Sequence, residues 1–182
     1  MLEYTLTFSP LCDEKTEQVS TIPPPSGREA NTTYEAEFIQ LVHESHSQMM
    51  QQIVENEKQR QRDEKVAKIE YYLRGSPLSG YGPLMVSEGE RTGVNPYLCA
   101  AIATAESSNA WAEPSGSFNA WGLGPGMTFS SRRAAITFWF DNCIRHWGPV
   151  QSAYEMAGYC VGDHPWMENV QGIVDAIERI EL

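Results

Sequence analysis

The chain has 182 residues, and its 24 acidic residues outnumber 13 basic ones, so that the formal net charge is −11. This balance argues against a nucleic-acid-binding protein, which needs basic surface to neutralise phosphates. No run of 18 apolar residues is present, so the sequence predicts no membrane span. The opening segment, MLEYTLTFSP, lacks the basic and long apolar regions of a secretory signal, and we expect synthesis in the cytoplasm without a signal peptide.

Residues 1–33 predict an extended, proline-containing N-terminal arm. In EYTLTF, the residues Tyr4, Leu6 and Phe8 alternate with polar ones, which is the period-two pattern of a short strand. Such a strand is suited to adding to the sheet edge of another protein. The prolines of TIPPPSG (Thr21–Gly27) favour a stiff polyproline tether.

Residues 34–74 predict one long helix, because neither Pro nor Gly interrupts them. The middle of this segment, ENEKQRQRDEK, mixes both charge signs and breaks the heptad pattern. It therefore favours a solvated helix face with (i, i+4) pairs over a free-standing coiled coil. The alternative is a docking helix in a larger assembly. The apolar residues that fall mostly on one stripe are Phe38, Val42, Met49, Ile53, Val66, Ile69 and Leu73.

Residues 75–182 predict a compact all-α domain that contains all five tryptophans of the chain. The breaker-rich segment RGSPLSGYGP marks its beginning. Gly93 ends a first helix, after which Asn95 caps and Pro96 opens a second. A serine caps the helix in SSRRAAITFWFDNCIRHW, and no convincing strand is predicted. The predicted helices are residues 84–92, 96–107, the segment after that serine cap, 151–157 and 166–180.

The helix that begins at Pro96 carries one acidic residue, Glu106, in its last turn. The helix C-terminus bears partial negative charge, and apolar neighbours add desolvation. Both favour the protonated carboxyl group that general acid catalysis requires. A single glutamate at a helix end is usually a solvated surface residue, so this placement alone gives weak support to a catalytic role. The apolar residues of the helix are Leu98, Ala101, Ile102 and Ala105.

Cleavage of a glycosidic bond needs such an acid beside the leaving oxygen, together with a groove for the sugar chain. Flat faces for sugar rings are offered by Trp111, Trp121 and Tyr159, although Trp and Tyr are more often core residues. Hydrogen-bonding groups are offered by Ser107, Ser108 and Asn119. The glycines Gly122 and Gly124 allow close approach of the backbone.

Four blocks of the sequence resemble the lysozyme-like lytic transglycosylases and related muralytic domains. They are SPLSGYG (Ser76–Gly82), GVNPYLCAAIATAESS (Gly93–Ser108), FNAWGLG (Phe118–Gly124) and GYC (Gly158–Cys160). The resemblance covers about residues 76–170 and implies a small lysozyme-like helical domain. The segment NAWAEPSGS takes the place of a short aromatic–glycine step that is common in the family. Residues 1–74 lie outside the resemblance.

The resemblance implies that Glu106 is the catalytic residue, that residues 119–124 line the cleft and that Tyr159 lies near the acid. With a single acid/base it implies non-hydrolytic cleavage. Glu106 protonates the leaving oxygen and then takes the proton of the sugar's C6 hydroxyl, which gives a 1,6-anhydro product. A second carboxylate would permit hydrolysis instead. The other acids near the motifs are Glu113, Asp141, Glu155 and Asp163, and none has a spacing that demands pairing with Glu106.

No metal or cofactor is expected from the sequence. The four cysteines form no C-x-x-C pair and no Cys/His cluster with zinc spacing. His43 and His46 are three residues apart on the long helix, but no further ligand lies near them in the sequence. Cytosolic synthesis predicts that Cys12, Cys99, Cys143 and Cys160 are free thiols.

The expected function is cleavage of peptidoglycan glycan strands by an enzyme that is carried in a phage particle. The particle would deliver a protein without a signal peptide, and residues 1–74 would bind other virion proteins in a homo- or hetero-oligomeric assembly. One alternative is a catalytically inactive structural virion protein with the same domain. Others are a hydrolytic lysozyme or glucosaminidase and, ranked last, a host cytosolic interaction protein.

Overall fold

The computed structural model describes residues 29–160 and 164–182, and these residues are helical or lie in turns and loops. They form α1 (Glu29–Leu73), α2 (Gly82–Thr92), α3 (Pro96–Ser107), α4 (Arg132–His146) and α5 (His164–Glu178). A 3-10 helix, Ala153–Glu155, lies between α4 and α5 in the chain. The predicted all-α class is confirmed. Within the described ranges, no helix has the length and apolar character needed to cross a bilayer.

The long helix predicted for residues 34–74 is present as α1, which begins earlier, at Glu29. The strand predicted around residues 4–8 and the polyproline tether at residues 21–27 lie outside the described residues. The chain divides into two compact units, Met1–Gln51 and Gln52–Leu182, and the division falls within α1.

The two parts of α1 differ in burial. In the first unit its large apolar side chains are exposed to solvent. In the second unit Ile53 and Val54 are still exposed, whereas Ile69 and Leu73 are completely buried. The core of the second unit therefore begins before residue 75. The exposed apolar side chains in the first unit are Tyr34, Phe38, Ile39, Leu41, Val42, Met49 and Met50.

Local sequence signals end α2 and begin α3 and α4 where they were predicted, whereas α2 begins at Gly82, two residues before the predicted start. Gly93 ends α2 in the left-handed conformation, with φ of 76°. The side chain of Asn95 accepts a hydrogen bond of 3.0 Å from the backbone N–H of Tyr97, and Pro96 occupies the first turn of α3. The Ser131 hydroxyl caps α4 by accepting from the backbone N–H of Ala134 at 3.2 Å.

Helix α3 is the centre of the second unit. It packs against α2, α4 and α5, and residues 98–103 have no exposed surface. Small side chains at residues 100, 101 and 103 let the neighbouring helices approach closely. The burial of this helix fixes the position of its last turn, which carries Glu106. The largest fully buried side chains around it include Trp121, Trp139, Phe140, Leu78, Met85, Ile136 and Ile177.

The helix predicted for residues 151–157 is reduced to the three-residue 3-10 helix. The Glu155 carboxylate closes this turn by accepting from the N–H and the hydroxyl of Ser152, at 3.1 and 2.8 Å. Met156 then leaves the helical region, with φ of −100° and ψ of 40°, and Gly158 is left-handed, with φ of 81°. A single capped turn is therefore all that forms here. The last predicted helix, 166–180, is present as α5 and is shifted by two residues.

Candidate functional site

Glu106 lies in the last turn of α3, and its side chain is exposed to solvent. The burial expected from its apolar sequence neighbours is absent, because those neighbours point into the core and Glu106 points away from it. After Ser107 the chain turns sharply through Ser108, Asn109 and Ala110, which have φ of 53°, 60° and 71°. Three successive left-handed residues other than glycine are costly. The turn therefore depends on its hydrogen bonds.

Ser107 supplies part of that support. It is 4% exposed, and its hydroxyl accepts a hydrogen bond of 2.9 Å from the backbone N–H of Ala110. The same hydroxyl lies 2.9 Å from the carbonyl oxygens of Ala103 and Ala120. Ser107 thus joins the end of α3 to the loop that follows it. The neighbouring Ser108 is exposed and caps the helix in the left-handed conformation.

Asn119 holds the second loop of the site, residues 117–128, in shape. Its side-chain N–H groups donate to the carbonyls of Leu123 and Met127, at 2.8 and 3.3 Å. Its Oδ1 accepts from the N–H of Leu123 at 3.1 Å. The side chain is 7% exposed, so its hydrogen bonds fix the loop that carries Gly122 and Gly124.

Gly122 brings the backbone of this loop against Glu106. It has φ of 63°, and a Cβ atom at this position would lie 2.6 Å from Glu106 Oε2. Real Cβ atoms do not approach an oxygen so closely, so a larger residue here would displace the Glu106 carboxylate from its present position. Gly124 is also left-handed, with φ of 54°, and a Cβ atom added there would lie 3.7 Å from the terminal methyl group of Met127.

The three aromatic residues that the sequence suggested as sugar platforms have different surroundings. Trp111 is 69% exposed and presents its ring to solvent. Trp121 is completely buried, and its indole N–H donates to the carbonyl of Cys99 at 2.9 Å, which leaves no ring face for a ligand. Tyr159 is half-buried. Its hydroxyl donates to the carbonyl of Trp121 at 2.7 Å and accepts from the indole N–H of Trp139 at 3.2 Å.

Burial raises the pKa of the Tyr159 hydroxyl well above its ordinary value, and the nearby charge of Glu106 acts in the same direction. The hydroxyl is therefore neutral and acts as a hydrogen-bond donor. It lies near Glu106, as the family resemblance implied, but its hydrogen bonds go to Trp121 and Trp139.

The side chain that donates a hydrogen bond to the Glu106 carboxylate belongs to Trp166, near the start of α5, which the sequence analysis did not single out. Its indole N–H donates a hydrogen bond of 2.8 Å to Glu106 Oε1. Its ring stacks on Tyr159, with ring centroids 4.9 Å apart and planes inclined by 13°. Sixty residues separate Glu106 from Trp166, and no local pattern in the sequence connects them.

A cleft of about 410 Å³ lies beside Glu106. It holds a second carboxylate, Glu113, which forms two hydrogen bonds of 2.7 and 2.8 Å with the guanidinium group of Arg132. Among residues 29–160 and 164–182, Glu106 forms no ion pair. The residues that line the cleft are Glu106, Ser107, Ala112, Glu113, Pro114, Ser115, Ser117, Asn119, Gly122, Gly124, Pro125, Gly126, Met127 and Thr128.

The other acids near the motifs have other partners. Asp141 pairs with Arg91 at 2.6 Å, Glu155 caps the 3-10 helix, and Asp163 lies outside the described residues. A larger cleft, of about 950 Å³, lies between α1 and the C-terminal residues 178–182. Its lysine, Lys68, lies 2.9 Å from the Glu64 carboxylate and donates to the Glu178 carbonyl at 2.7 Å.

In the part of the chain that the structure describes, no three His, Cys, Asp or Glu side chains come together as a metal site would require. Among the described residues, Cys99, Cys143 and Cys160 form no disulfide, and Cys12 lies outside these residues. In comparisons with known proteins, no family model and no curated protein sequence matches the chain. The likeness to muralytic domains therefore depends on the sequence blocks quoted above.

Proposed function

We propose that the chain is a peptidoglycan-cleaving enzyme of the lytic transglycosylase type, with Glu106 as its single general acid and base. The observation that carries this proposal is the exposed Glu106 carboxylate, which stands at the end of a buried helix and beside a cleft of about 410 Å³. The buried helix fixes the place of the carboxylate, and its exposure gives a glycan strand access to it. Both properties are needed for proton transfer to a bound substrate.

In the proposed reaction, protonated Glu106 gives its proton to the glycosidic oxygen as the bond to the sugar's C1 breaks. The resulting carboxylate then removes the proton from the C6 hydroxyl of the same sugar as that oxygen bonds to C1. The product is a 1,6-anhydro sugar, the acid form of Glu106 is regenerated, and no water is consumed. Ser107 and Asn119 support this site by fixing the end of α3 and the cleft loop, and Trp111 and Ser108 offer exposed groups to the glycan.

One observation favours a second candidate function, a hydrolytic lysozyme or glucosaminidase. Glu113 lines the same cleft as Glu106, and hydrolysis uses two carboxylates. Against this candidate, both oxygens of Glu113 are occupied by the guanidinium group of Arg132. Glu113 would have to leave that pair before it could activate water or attack the sugar. We therefore rank the transglycosylase first.

Residues 1–74 are proposed to attach the enzyme to other virion proteins of a phage particle, in a homo- or hetero-oligomeric assembly. The support for this is the run of large apolar side chains that α1 exposes between residues 34 and 54. Exposed apolar surface of this extent is typical of sites that bind another protein. Delivery by the particle would bring the enzyme to the cell wall.

The test is digestion of purified cell walls by the full-length protein, followed by mass spectrometry of the released fragments. A transglycosylase yields anhydro-muropeptides, which are lighter than hydrolysis products by one water. Fragments with reducing ends would instead identify a hydrolase. Intact walls, both with the isolated chain and with the particle-bound protein, would favour the inactive structural virion protein.

A further inference from the structure

The two oxygens of the Glu106 carboxylate have different surroundings. Oε1 accepts a hydrogen bond of 2.8 Å from the indole N–H of Trp166. Oε2 lies against the backbone at Gly122, where an added Cβ atom would be 2.6 Å away. The indole thus engages one oxygen, and the cleft loop contacts the other.

Trp166 is itself held in place by the core. It stacks on Tyr159, with ring centroids 4.9 Å apart. The hydroxyl of Tyr159 bonds to the backbone of Trp121 and to the indole of Trp139, both of which are completely buried. The orientation of the Trp166 indole is therefore fixed, through Tyr159, by two tryptophans of the buried core.

We propose that Trp166 is a positioning residue for Glu106, and that Oε2 is the oxygen that exchanges the proton with the glycan. This inference rests on the proposed function. By holding Oε1, the indole prevents rotation of the carboxylate and keeps Oε2 at the cleft. Oε2 carries the proton to the leaving oxygen and later accepts the proton of the C6 hydroxyl, so that the carboxyl group returns to its initial state. Such orientation matters because a misplacement of about 1 Å can cost 10²-fold in rate.

The variant Trp166→Phe tests this role because it keeps a ring to stack on Tyr159 and removes the N–H. The matched control is Trp147→Phe, which removes an indole N–H that donates to the carbonyl of Ala157 at 2.9 Å. We expect Trp166→Phe to lower kcat for wall cleavage roughly tenfold or more, with KM retained, because the carboxyl group is then free to turn away from its productive orientation. We expect Trp147→Phe to keep its kcat. An equal loss of kcat in the two variants, or a raised KM with unchanged kcat in Trp166→Phe, would overturn the proposal.

A second measurement does not depend on activity or on the folding of Trp166→Phe. In the full-length protein, the indole N–H resonance of Trp166 should shift when Glu106 is replaced by Ala, while that of Trp147 should stay in place. An unmoved Trp166 resonance would overturn the inference even if walls are cleaved. If the resonance shifts but the wild-type protein leaves walls intact, the proposed function is wrong, and the catalytic part of the inference falls with it.

Discussion

A Cβ atom added to Gly122 would stand 2.6 Å from Oε2 of Glu106, so these two residues are in direct contact through the backbone of one and the carboxylate of the other. The contact joins α3 to a loop that follows it in the sequence by more than ten residues. Because φ of Gly122 is 63°, the backbone conformation favours glycine here, and a Cβ atom would fit only if the Glu106 carboxylate moved.

The first prediction concerns the variant Gly122→Ala, which we expect to displace the Glu106 carboxylate and to lower wall cleavage by more than tenfold. The matched control is Gly116→Ala. Gly116 has φ of 72°, but nothing lies within 4 Å of an added Cβ atom. Both variants place alanine in the left-handed region and should lose about 1 kcal/mol of stability. Thermal unfolding and rates of wall digestion measure the two effects, and equal activity of the two variants would contradict the contact's role.

The second prediction is that Glu106→Gln abolishes wall cleavage and leaves the fold intact. Glutamine keeps the shape and the acceptor for Trp166 but cannot supply a proton. General acid catalysis is worth roughly 10²–10⁴-fold, which is easily measured. The control is Asp141→Asn, whose carboxylate is half-exposed and paired with Arg91, and it should keep activity within about an order of magnitude. Normal cleavage by Glu106→Gln would show that the catalytic site lies elsewhere.

The third prediction concerns Glu113, whose replacement by Gln should act on stability. The side chains of Glu113 and Arg132 are 12% and 10% exposed, so the variant leaves a buried guanidinium group without its partner. The expected cost is about 3–5 kcal/mol in the free energy of unfolding. We expect activity per folded molecule within about an order of magnitude of wild type. Urea denaturation measures the stability, and wall digestion at urea concentrations below the unfolding transition measures the activity of the folded variant. A stable but inactive Glu113→Gln variant would favour the hydrolase.

The fourth prediction concerns the part of α1 that belongs to the core. Ile69 is completely buried and Ile53 is 52% exposed on the same helix. Ile69→Ala should therefore lower the free energy of unfolding by about 2–5 kcal/mol, because it removes buried apolar surface and leaves a cavity. Ile53→Ala should change it little in the isolated chain. Similar denaturation midpoints for the two variants would mean that α1 does not belong to the core, which would then begin after it.

The fifth prediction is a loss of stability at alkaline pH. Burial raises the pKa of the Cys143 thiol from an ordinary value of 9.0 to about 12, and that of Tyr97 from 10.0 to about 12. Both groups stay protonated in the folded chain at a pH at which the unfolded chain releases their protons. Unfolding is therefore favoured as pH rises from about 9 towards 12, by up to roughly 1.4 kcal/mol per pH unit for each group.

Urea midpoints at pH 7.5, 9 and 10.5, measured under reducing conditions, test the alkaline effect. The variant Cys143→Ala removes one of the titrating groups and should show a shallower decline above pH 9. A wild-type midpoint that is constant up to pH 10.5 would show that these groups are accessible in the folded chain.

The ends of the central helices could be predicted from the sequence because their causes are local. Asn95, Pro96 and Gly93 act on backbone groups within one turn of their own position, and this suffices to begin α3 and to end α2. The all-α class follows from the helical spacing of apolar residues and was likewise accessible.

Only the tertiary structure decided which residues are buried and which distant residues come into contact. Trp121 and Trp111 look alike as tryptophans near the motif, yet one is completely buried and the other is 69% exposed. The hydrogen bond from Trp166 to Glu106 joins residues sixty positions apart, and it exists because α5 packs against α3. The sequence by itself determined that α1 to α5 form and where they lie to within a few residues, since helix formation depends largely on near neighbours, although only one turn formed where a helix was predicted at residues 151–157. Packing decided which side chains are buried and which meet at the site, since these depend on the whole folded chain.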